Sequence, residues 1–141
     1  MNEKEALEST VVYENKWLKV REDKIRRSSG AEGIYGVVSK PDFVAIVPIH
    51  DGYIHLVEQY RYPMQGRYWE IPQGSRESYP GADSANVAAG ELREETGLNA
   101  KNFQYVGHIF QAYGYSNQGL HVHLATNLEE GSKNLVEEEE G

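Results

Sequence analysis

Cysteine is absent from this chain of 141 residues, which excludes a disulfide framework, a thiol nucleophile and a cysteine-based zinc site. Long apolar runs are absent too, since no stretch approaches the roughly 20 residues of a membrane-spanning helix. Residues 1–9 lack the basic and apolar regions of a signal peptide. These absences predict a soluble, cytoplasmic protein without a membrane partner.

Basic residues are few: 14 Lys and Arg stand against 22 Asp and Glu, for a formal net charge of −8. Nucleic-acid backbones are bound by basic surfaces, so we expect no nucleic-acid partner. An anionic substrate would need local cations, supplied by a metal ion and a few well-placed arginines. The length is that of one domain with a substantial core, and we predict a single domain over residues 1–141.

Strand signals dominate the N-terminal half, where Val, Ile and Tyr alternate with turn residues. The predicted strands are Thr10–Glu14, Trp17–Arg27, Glu32–Ser39, Phe43–Ile49 and Tyr53–Arg61, with Phe103–Phe110 and Leu120–Ala125 further along the chain. The first three are expected to form a small antiparallel sheet. Gln65 and Gly66 predict a flexible turn, which makes the following Arg67 a weak candidate for substrate binding.

One short amphipathic helix is predicted between these two groups of strands. Asp83 or Ser84 can cap its N-terminus, and Gly97 predicts a left-handed residue at its C-terminus. Apolar side chains recur at helical spacing, at Ala85, Ala88, Ala89 and Leu92.

Acidic residues line the edge of this apolar stripe. At about 100° per residue, Glu91, Glu94 and Glu95 fall within one arc of the helix. Their like-charge pairs each cost about 0.2–0.5 kcal/mol, and the negative end of the helix dipole disfavours them further. A solvated surface is the alternative, but clustered carboxylates are the hard ligands that Mg²⁺ or Mn²⁺ prefers. We therefore predict a divalent metal site.

The stretch Gly90–Leu98, GELREETGL, preceded by Gly74, resembles the second half of the Nudix box. That motif is the signature of hydrolases that cut nucleoside diphosphates linked to another moiety. Val57–Arg61, VEQYR, and Trp69–Pro72, WEIP, resemble the branch of ADP-ribose pyrophosphatases and nucleotide-sugar hydrolases. The resemblance extends over residues 11–128.

The first half of the box departs from the family pattern. Gly90 stands where the family has Arg, Ala82 stands where its first Glu would fall, and the loop after Gly74 is two residues longer than usual. In the family, the replaced Arg and Glu are thought largely to support the loop and helix. Glu77 of the longer loop is a candidate substitute for the missing Glu.

The resemblance implies a Nudix-type α/β/α sandwich with a mixed sheet, preceded by the small antiparallel N-terminal sheet. Residues 1–40 are expected to be the N-terminal strands and to build a homodimer, with a monomer as the alternative. Residues 41–130 are expected to be the Nudix core. Residues 131–141 are expected to be a solvated acidic tail. Related enzymes usually continue with another strand and helix, so the chain is expected to be either a shortened version of the family or a truncated one.

The resemblance also implies Mg²⁺-dependent or Mn²⁺-dependent hydrolysis of a pyrophosphate bond. The substrate would be ADP-ribose or a nucleotide sugar such as GDP-mannose, and the products a nucleoside monophosphate and a sugar phosphate. The expected metal ligands are the main-chain carbonyl of Gln73 and the carboxylates of Glu91, Glu94 and Glu95, and these three glutamates are also the candidate catalytic residues. The candidate substrate-binding residues are Glu58, Arg61, Glu70, Tyr113 and Tyr115.

Several alternatives stay open. Arg61 either orients the diphosphate or forms an ordinary ion pair with Glu58 or Glu70. The general base is a carboxylate of the helix or of the tail. The departures from the box allow a catalytically impaired nucleotide-binding or regulatory module, and a purely structural dimerisation domain is a third candidate. His121 and His123 alternate on one strand face as a metal pair would, but packing is favoured because no third ligand lies nearby in sequence.

Overall fold

The computed structural model describes residues 3–75 and 81–131. The predicted acidic tail from residue 132 onward and the candidate substitute ligand Glu77 lie outside these ranges, so the expectations for both stay predictions. Within the described ranges, no helix combines the length and the apolar character needed to cross a membrane.

The chain divides into two compact units. The first contains the described residues up to Pro41 together with a later segment, Phe110–Gly119. The second contains Asp42–Ile109 and the described residues from Leu120 onward. The later segment thus belongs to the N-terminal strands although it lies about seventy residues beyond them in sequence.

The first unit is built on the strands β1 (Lys4–Glu14), β2 (Lys19–Arg27) and β3 (Glu32–Ser39). They form an antiparallel sheet in the order β1-β2-β3, as the sequence predicts. Asn15 Oδ1 closes the first turn by accepting the backbone N–H groups of Trp17 at 2.8 Å and Leu18 at 3.0 Å. The second turn contains Gly30 at φ 89°, a left-handed conformation that suits glycine.

The later segment is attached to β3 by backbone hydrogen bonds. The N–H of Val38 donates to the carbonyl of Tyr115 over 2.7 Å, and the N–H of Asn117 donates to the carbonyl of Val38 over 3.1 Å. The hydroxyl of Tyr35 also donates to the carbonyl of Gly114 over 2.6 Å. These contacts hold the Gly- and Tyr-rich loop beside the N-terminal sheet.

The remaining strands are β4 (Phe43–His50), β5 (Tyr53–Ile54), β6 (Val57–Arg61), β7 (Gly66–Glu70), β8 (Gln73–Ser75), β9 (Leu98–Phe110) and β10 (Gly119–Glu130), and the helix is α1 (Ser84–Thr96). Five strands form one sheet in the order β5-β4-β10-β9, with β8 also paired to β4. Strand β10 is parallel to β4, whereas β5 and β8 are antiparallel to it. The mixed sheet of the predicted α/β fold is therefore confirmed.

Helix α1 covers the central strand of this sheet. Val44 and Ile46 on β4 pack with Val87 and Leu92 on α1, and all four side chains are fully buried. Burying a side chain of this size stabilises the fold by about 1.5–3 kcal/mol. The core thereby fixes which face of α1 turns inward, and the acids at the edge of that face turn with it.

Both ends of α1 follow the capping residues of the sequence. The carboxylate of Asp83 accepts the N–H of Asn86 over 2.8 Å, so Asp83 rather than Ser84 is the N-cap. At the other end Gly97 has φ 75°, and its N–H donates to the carbonyl of Arg93 over 2.9 Å. The left-handed glycine terminates the helix as predicted.

The predicted strand Tyr53–Arg61 is wrong as a single strand. β5 ends at Ile54 as a partner of β4, whereas β6 pairs with β7 in a separate two-stranded sheet. The predicted flexible turn is wrong for Arg67, which lies inside β7. Periodicity reports the face on which a side chain lies but not the strand with which its backbone pairs.

Candidate active site

Strand β8 brings the backbone against the acidic half of α1. Glu91 is 3% exposed on the helix, and a Cβ atom at Gly74 would collide with its carboxyl group. Glycine leaves that space because it has no side chain. The Glu91 carboxylate is therefore held directly against the backbone of β8.

A second helix acid also contacts this strand. The backbone N–H of Gln73 donates to Glu95 Oε2 over 3.3 Å, and Glu94 beside it is half-buried. Carboxylate oxygens such as those of Glu91, Glu94 and Glu95 are donors that suit the hard cations Mg²⁺ and Mn²⁺. The close contact of the Glu91 carboxyl group with Gly74 and the oxygen donors of the helix are compatible with binding of a divalent ion.

Arg61 is joined to the same strand through Glu70. The Arg61 Nε donates to Glu70 Oε2 over 2.7 Å, and a terminal guanidinium nitrogen donates to Glu70 Oε1. The side-chain amide of Gln73 donates to Glu70 Oε1 over 2.7 Å. These contacts form a continuous series of hydrogen bonds from Arg61 through Glu70 and Gln73 to Glu95.

The contact between Arg61 and Glu70 shifts the pKa of both side chains. The hydrogen bond from Arg61 holds the pKa of the Glu70 carboxyl below its usual value, and the nearby positive charge adds to the effect. In return, the hydrogen bond to Glu70 raises the pKa of Arg61, with a smaller contribution from the charge of Glu95. The planar guanidinium is thereby fixed in orientation and remains charged.

Glu58 is not brought to this group. It alternates with Arg61 on β6, so the two side chains lie on opposite faces of the strand. Its carboxylate forms an ion pair with Arg67 across the β6–β7 hairpin, and both side chains are largely exposed. Of the two ion pairs that the sequence allows for Arg61, the structure contains the one with Glu70.

Tyr113 and Tyr115 belong to the other unit. Both lie in the loop attached to β3, with 85% and 61% of their surfaces exposed. Exposed rings are suited to stacking on a base or a sugar. Their assignment to the substrate stays a prediction.

A second cluster of ligating side chains contains two residues that the sequence analysis missed. Asp42 Oδ2 lies 2.9 Å from His108 Nε2 and 3.6 Å from His121 Nε2. The sequence did single out His121, but Asp42 precedes β4 and His108 lies in β9, so no local spacing signals them. His123, the other histidine of the predicted pair, is buried against Ser84 Oγ at 3.0 Å, and burial lowers its pKa.

The fold has a close counterpart among solved structures. The chain superposes on a protein described as an ADP compounds hydrolase with a TM-score of 0.82, over 94% of this chain and 71% of that one, at 22% sequence identity. At this identity the likeness establishes the fold. An α/β fold with a mixed sheet and a small antiparallel sheet is therefore a shared architecture.

Two family models together account for almost the whole sequence. Residues 5–38 match the nucleoside diphosphate sugar hydrolase N-terminal domain, and residues 40–141 match the NUDIX domain. The chain therefore belongs to the Nudix hydrolase family, as its resemblance to the Nudix box predicts. Nudix hydrolases use divalent metal ions, which supports the prediction of a divalent metal cofactor.

Curated relatives extend over nearly the full length of the chain. An ADP-ribose pyrophosphatase of Mycobacterium tuberculosis is 34% identical over 96% of this chain, which spans 66% of that protein. An ADP-ribose pyrophosphatase of Bacillus subtilis and a methanol dehydrogenase activator of Bacillus methanolicus are 28% and 27% identical, each over 97% of this chain and 75% of its own length. The chain is thus shorter than all three relatives.

Proposed function

We propose that this protein hydrolyses the pyrophosphate bond of a nucleoside diphosphate sugar. The observation that carries the proposal is the chain of contacts from Arg61 through Glu70 and Gln73 to Glu95, since it joins a candidate phosphate ligand to candidate metal ligands. ADP-ribose is the first substrate to test because two relatives are ADP-ribose pyrophosphatases. A nucleotide sugar such as GDP-mannose is the second.

In this proposal the acids of α1 and the adjoining backbone hold Mg²⁺ or Mn²⁺. The ligands are the carbonyl of Gln73 and the carboxylates of Glu91, Glu94 and Glu95. When bound, a divalent ion polarises phosphoryl oxygens and lowers the pKa of an attacking water. The glutamates place their charges on a rigid helix, so little reorganisation is needed when the ion and the diphosphate arrive.

Arg61 is assigned to the diphosphate. A guanidinium has five N–H donors, and the pairing with Glu70 engages two of its nitrogens. The remaining donors suit phosphate oxygens, and Glu70 acts as the residue that positions the guanidinium. Glu58, Tyr113 and Tyr115 stay predicted substrate contacts, and the general base stays open between a helix carboxylate and the tail.

The substitution Glu95→Gln tests the metal ligands. Products from ADP-ribose, GDP-mannose and dinucleoside polyphosphates are separated by chromatography with Mg²⁺, with Mn²⁺ and with chelator. We expect the wild type to release a nucleoside monophosphate only with metal, and E95Q to lose turnover by about 100-fold or more because an ion is then poorly held. The matched control is E129Q, whose parent residue forms an exposed ion pair with Lys101. Undiminished turnover in E95Q would overturn the ligand assignment.

A catalytically impaired binding or regulatory module is the second candidate function. It is favoured by Gly90 and Ala82, which replace the Arg and first Glu of the family pattern, and one relative is described as an activator. This candidate predicts ADP-ribose binding by calorimetry without product under any metal condition. Metal-dependent release of a nucleoside monophosphate would eliminate it.

A homodimer built through residues 1–40 is part of the proposal. Val11, Val12 and Trp17 of this segment are exposed in the single chain, and an apolar surface of that kind is suited to a partner copy. Light scattering should give the mass of two chains for the wild type and of one chain for Val12→Lys. The control Val106→Lys alters an exposed valine of β9 and should stay dimeric. A wild type that is monomeric at all concentrations would contradict the dimer.

A further inference from the structure

Asp42, His108 and His121 approach one another from three separate parts of the second unit. Asp42 immediately precedes β4, His108 lies in β9 and His121 lies in β10. One ligating atom from each residue lies within 4.8 Å of the other two, and the cluster is partly accessible to solvent. None of these residues is among the acids of α1 that the proposed hydrolase uses.

The spacing of the donor atoms suits a small transition-metal ion. Ligands at about 2.0–2.1 Å from a tetrahedral ion lie roughly 3.4 Å from one another. The carboxylate oxygen of Asp42 is 2.9 Å from His108 Nε2 and 3.6 Å from His121 Nε2. The two separations bracket the tetrahedral value, and all three donor atoms lie within 4.8 Å of one another, as ligands of a shared ion would.

The His121 ring is oriented by a neighbour that is not itself a donor to the cluster. Its Nδ1 lies 2.9 Å from the hydroxyl of Tyr105, which leaves Nε2 directed to the side of Asp42. The His108 and His121 rings are in contact, with centroids 4.7 Å apart. Ligating histidines in metalloproteins are held in the same way, by a hydrogen bond at the second ring nitrogen.

Two side chains of β9, Tyr105 and His108, reach the His121 ring. Tyr105 and His108 are three residues apart, so strict alternation would put them on opposite faces of a strand. Both rings nevertheless contact His121. Gly107 lies between them at φ 157°, and an interruption of this kind redirects a side chain, as β-bulges do near functional sites.

We propose that Asp42, His108 and His121 bind a divalent first-row transition metal ion of the Zn²⁺ class. Two imidazoles and one carboxylate are borderline donors that favour such ions over Mg²⁺. The ion would connect the start of β4 to β9 and β10, and its remaining coordination position would face solvent. The site is separate in residues and in metal preference from the all-oxygen set on α1.

The test uses the full chain without a histidine tag. Zn²⁺ binding is measured by calorimetry in millimolar Mg²⁺, which occupies the oxygen sites, and Co²⁺ is used as a spectroscopic probe of coordination geometry. We expect one high-affinity Zn²⁺ per wild-type chain and Co²⁺ absorption bands of low coordination number. His108→Ala and Asp42→Asn should each weaken Zn²⁺ binding by about 100-fold, an effect at least as large as that of losing an outer-shell partner.

The matched control is His50→Ala. His50 forms an exposed pair with Asp51 at 3.3 Å, so this variant removes a histidine beside an aspartate without touching the cluster, and it should bind Zn²⁺ like the wild type. E95Q should also retain the site, whether or not the proposed hydrolase activity is found. Zn²⁺ binding that Mg²⁺ abolishes, or that H108A and D42N leave unchanged, would overturn the proposal and identify the cluster as a metal-free ion pair.

Discussion

The first strand of each unit differs sharply in what it buries. Every residue of β1 is exposed, whereas β4 buries Val44, Ala45 and Ile46 beneath α1. Strand β1 mixes charged and apolar side chains, whereas every residue of β4 before His50 is apolar. The second unit therefore has a buried core between α1 and β4, whereas the apolar side chains of β1 in the first unit are exposed.

Ion pairs across β1 and β2 add little to the stability of the first unit. Lys24 pairs with Glu8 at 3.2 Å and Lys19 pairs with Glu14 at 3.1 Å, and all four side chains are mostly exposed. Exposed pairs of this kind contribute about 0–1 kcal/mol each. The stability of the first unit therefore depends more on the backbone hydrogen bonds of its three strands and on buried residues such as Ile25.

The largest expected effect comes from the buried side of this comparison. Leu92→Ala should lower the free energy of unfolding by about 2–5 kcal/mol because Leu92 is fully buried between α1 and the sheet. Val12→Ala on β1 should change it by less than about 0.5 kcal/mol because Val12 is exposed. Urea unfolding curves at low protein concentration measure both. Similar losses in the two variants would remove the distinction between the units.

A pair of glycine substitutions compares the candidate active site with the N-terminal sheet. Gly74→Ala places a methyl group in the space of the Glu91 carboxyl group, and a displacement of about 1 Å at a catalytic group costs on the order of 100-fold in rate. Gly36→Ala in β3 meets no atom within 4 Å and should keep wild-type kinetics. Initial rates of nucleoside monophosphate release measure both variants, and an active G74A would contradict the tight seat of Glu91.

The smallest expected effect is the pH dependence of stability that the Arg61–Glu70 ion pair produces. Because Arg61 lowers the pKa of Glu70 from 4.5, the stabilisation by the Glu70 carboxylate is complete above that value and is lost as pH falls through the lower, folded-state pKa. Between about pH 5 and pH 3, the wild type should therefore lose more stability than Glu70→Gln.

The control for this titration lies in the other unit. Glu8→Gln removes an exposed pair with Lys24 and should reproduce the pH profile of the wild type, since such pairs contribute little. Unfolding midpoints in urea across the acid range provide the measurement. Parallel profiles for the wild type and E70Q would show that the Arg61 contact does not stabilise the fold.

The features that the sequence predicted well depend on neighbours in the chain. The cap at Asp83, the stop at Gly97 and the acidic edge of α1 involve residues within a few positions of one another, so helical spacing was enough to find them. The antiparallel N-terminal sheet was equally predictable because its strands are consecutive and joined by short turns. The continuous strand from Tyr53 to Arg61 was wrong because alternation persists even when the pairing partner changes.

What the sequence alone determined about this protein is its family, its helix and the acids on one edge of that helix, because each is encoded in local spacing. Tertiary structure alone decided the pairing of Arg61 with Glu70, the seat of Glu91 on Gly74 and the meeting of Asp42, His108 and His121. Those contacts join residues that are 9 to 79 positions apart. Packing and strand register bring such residues together, and neither is written in the order of neighbouring side chains.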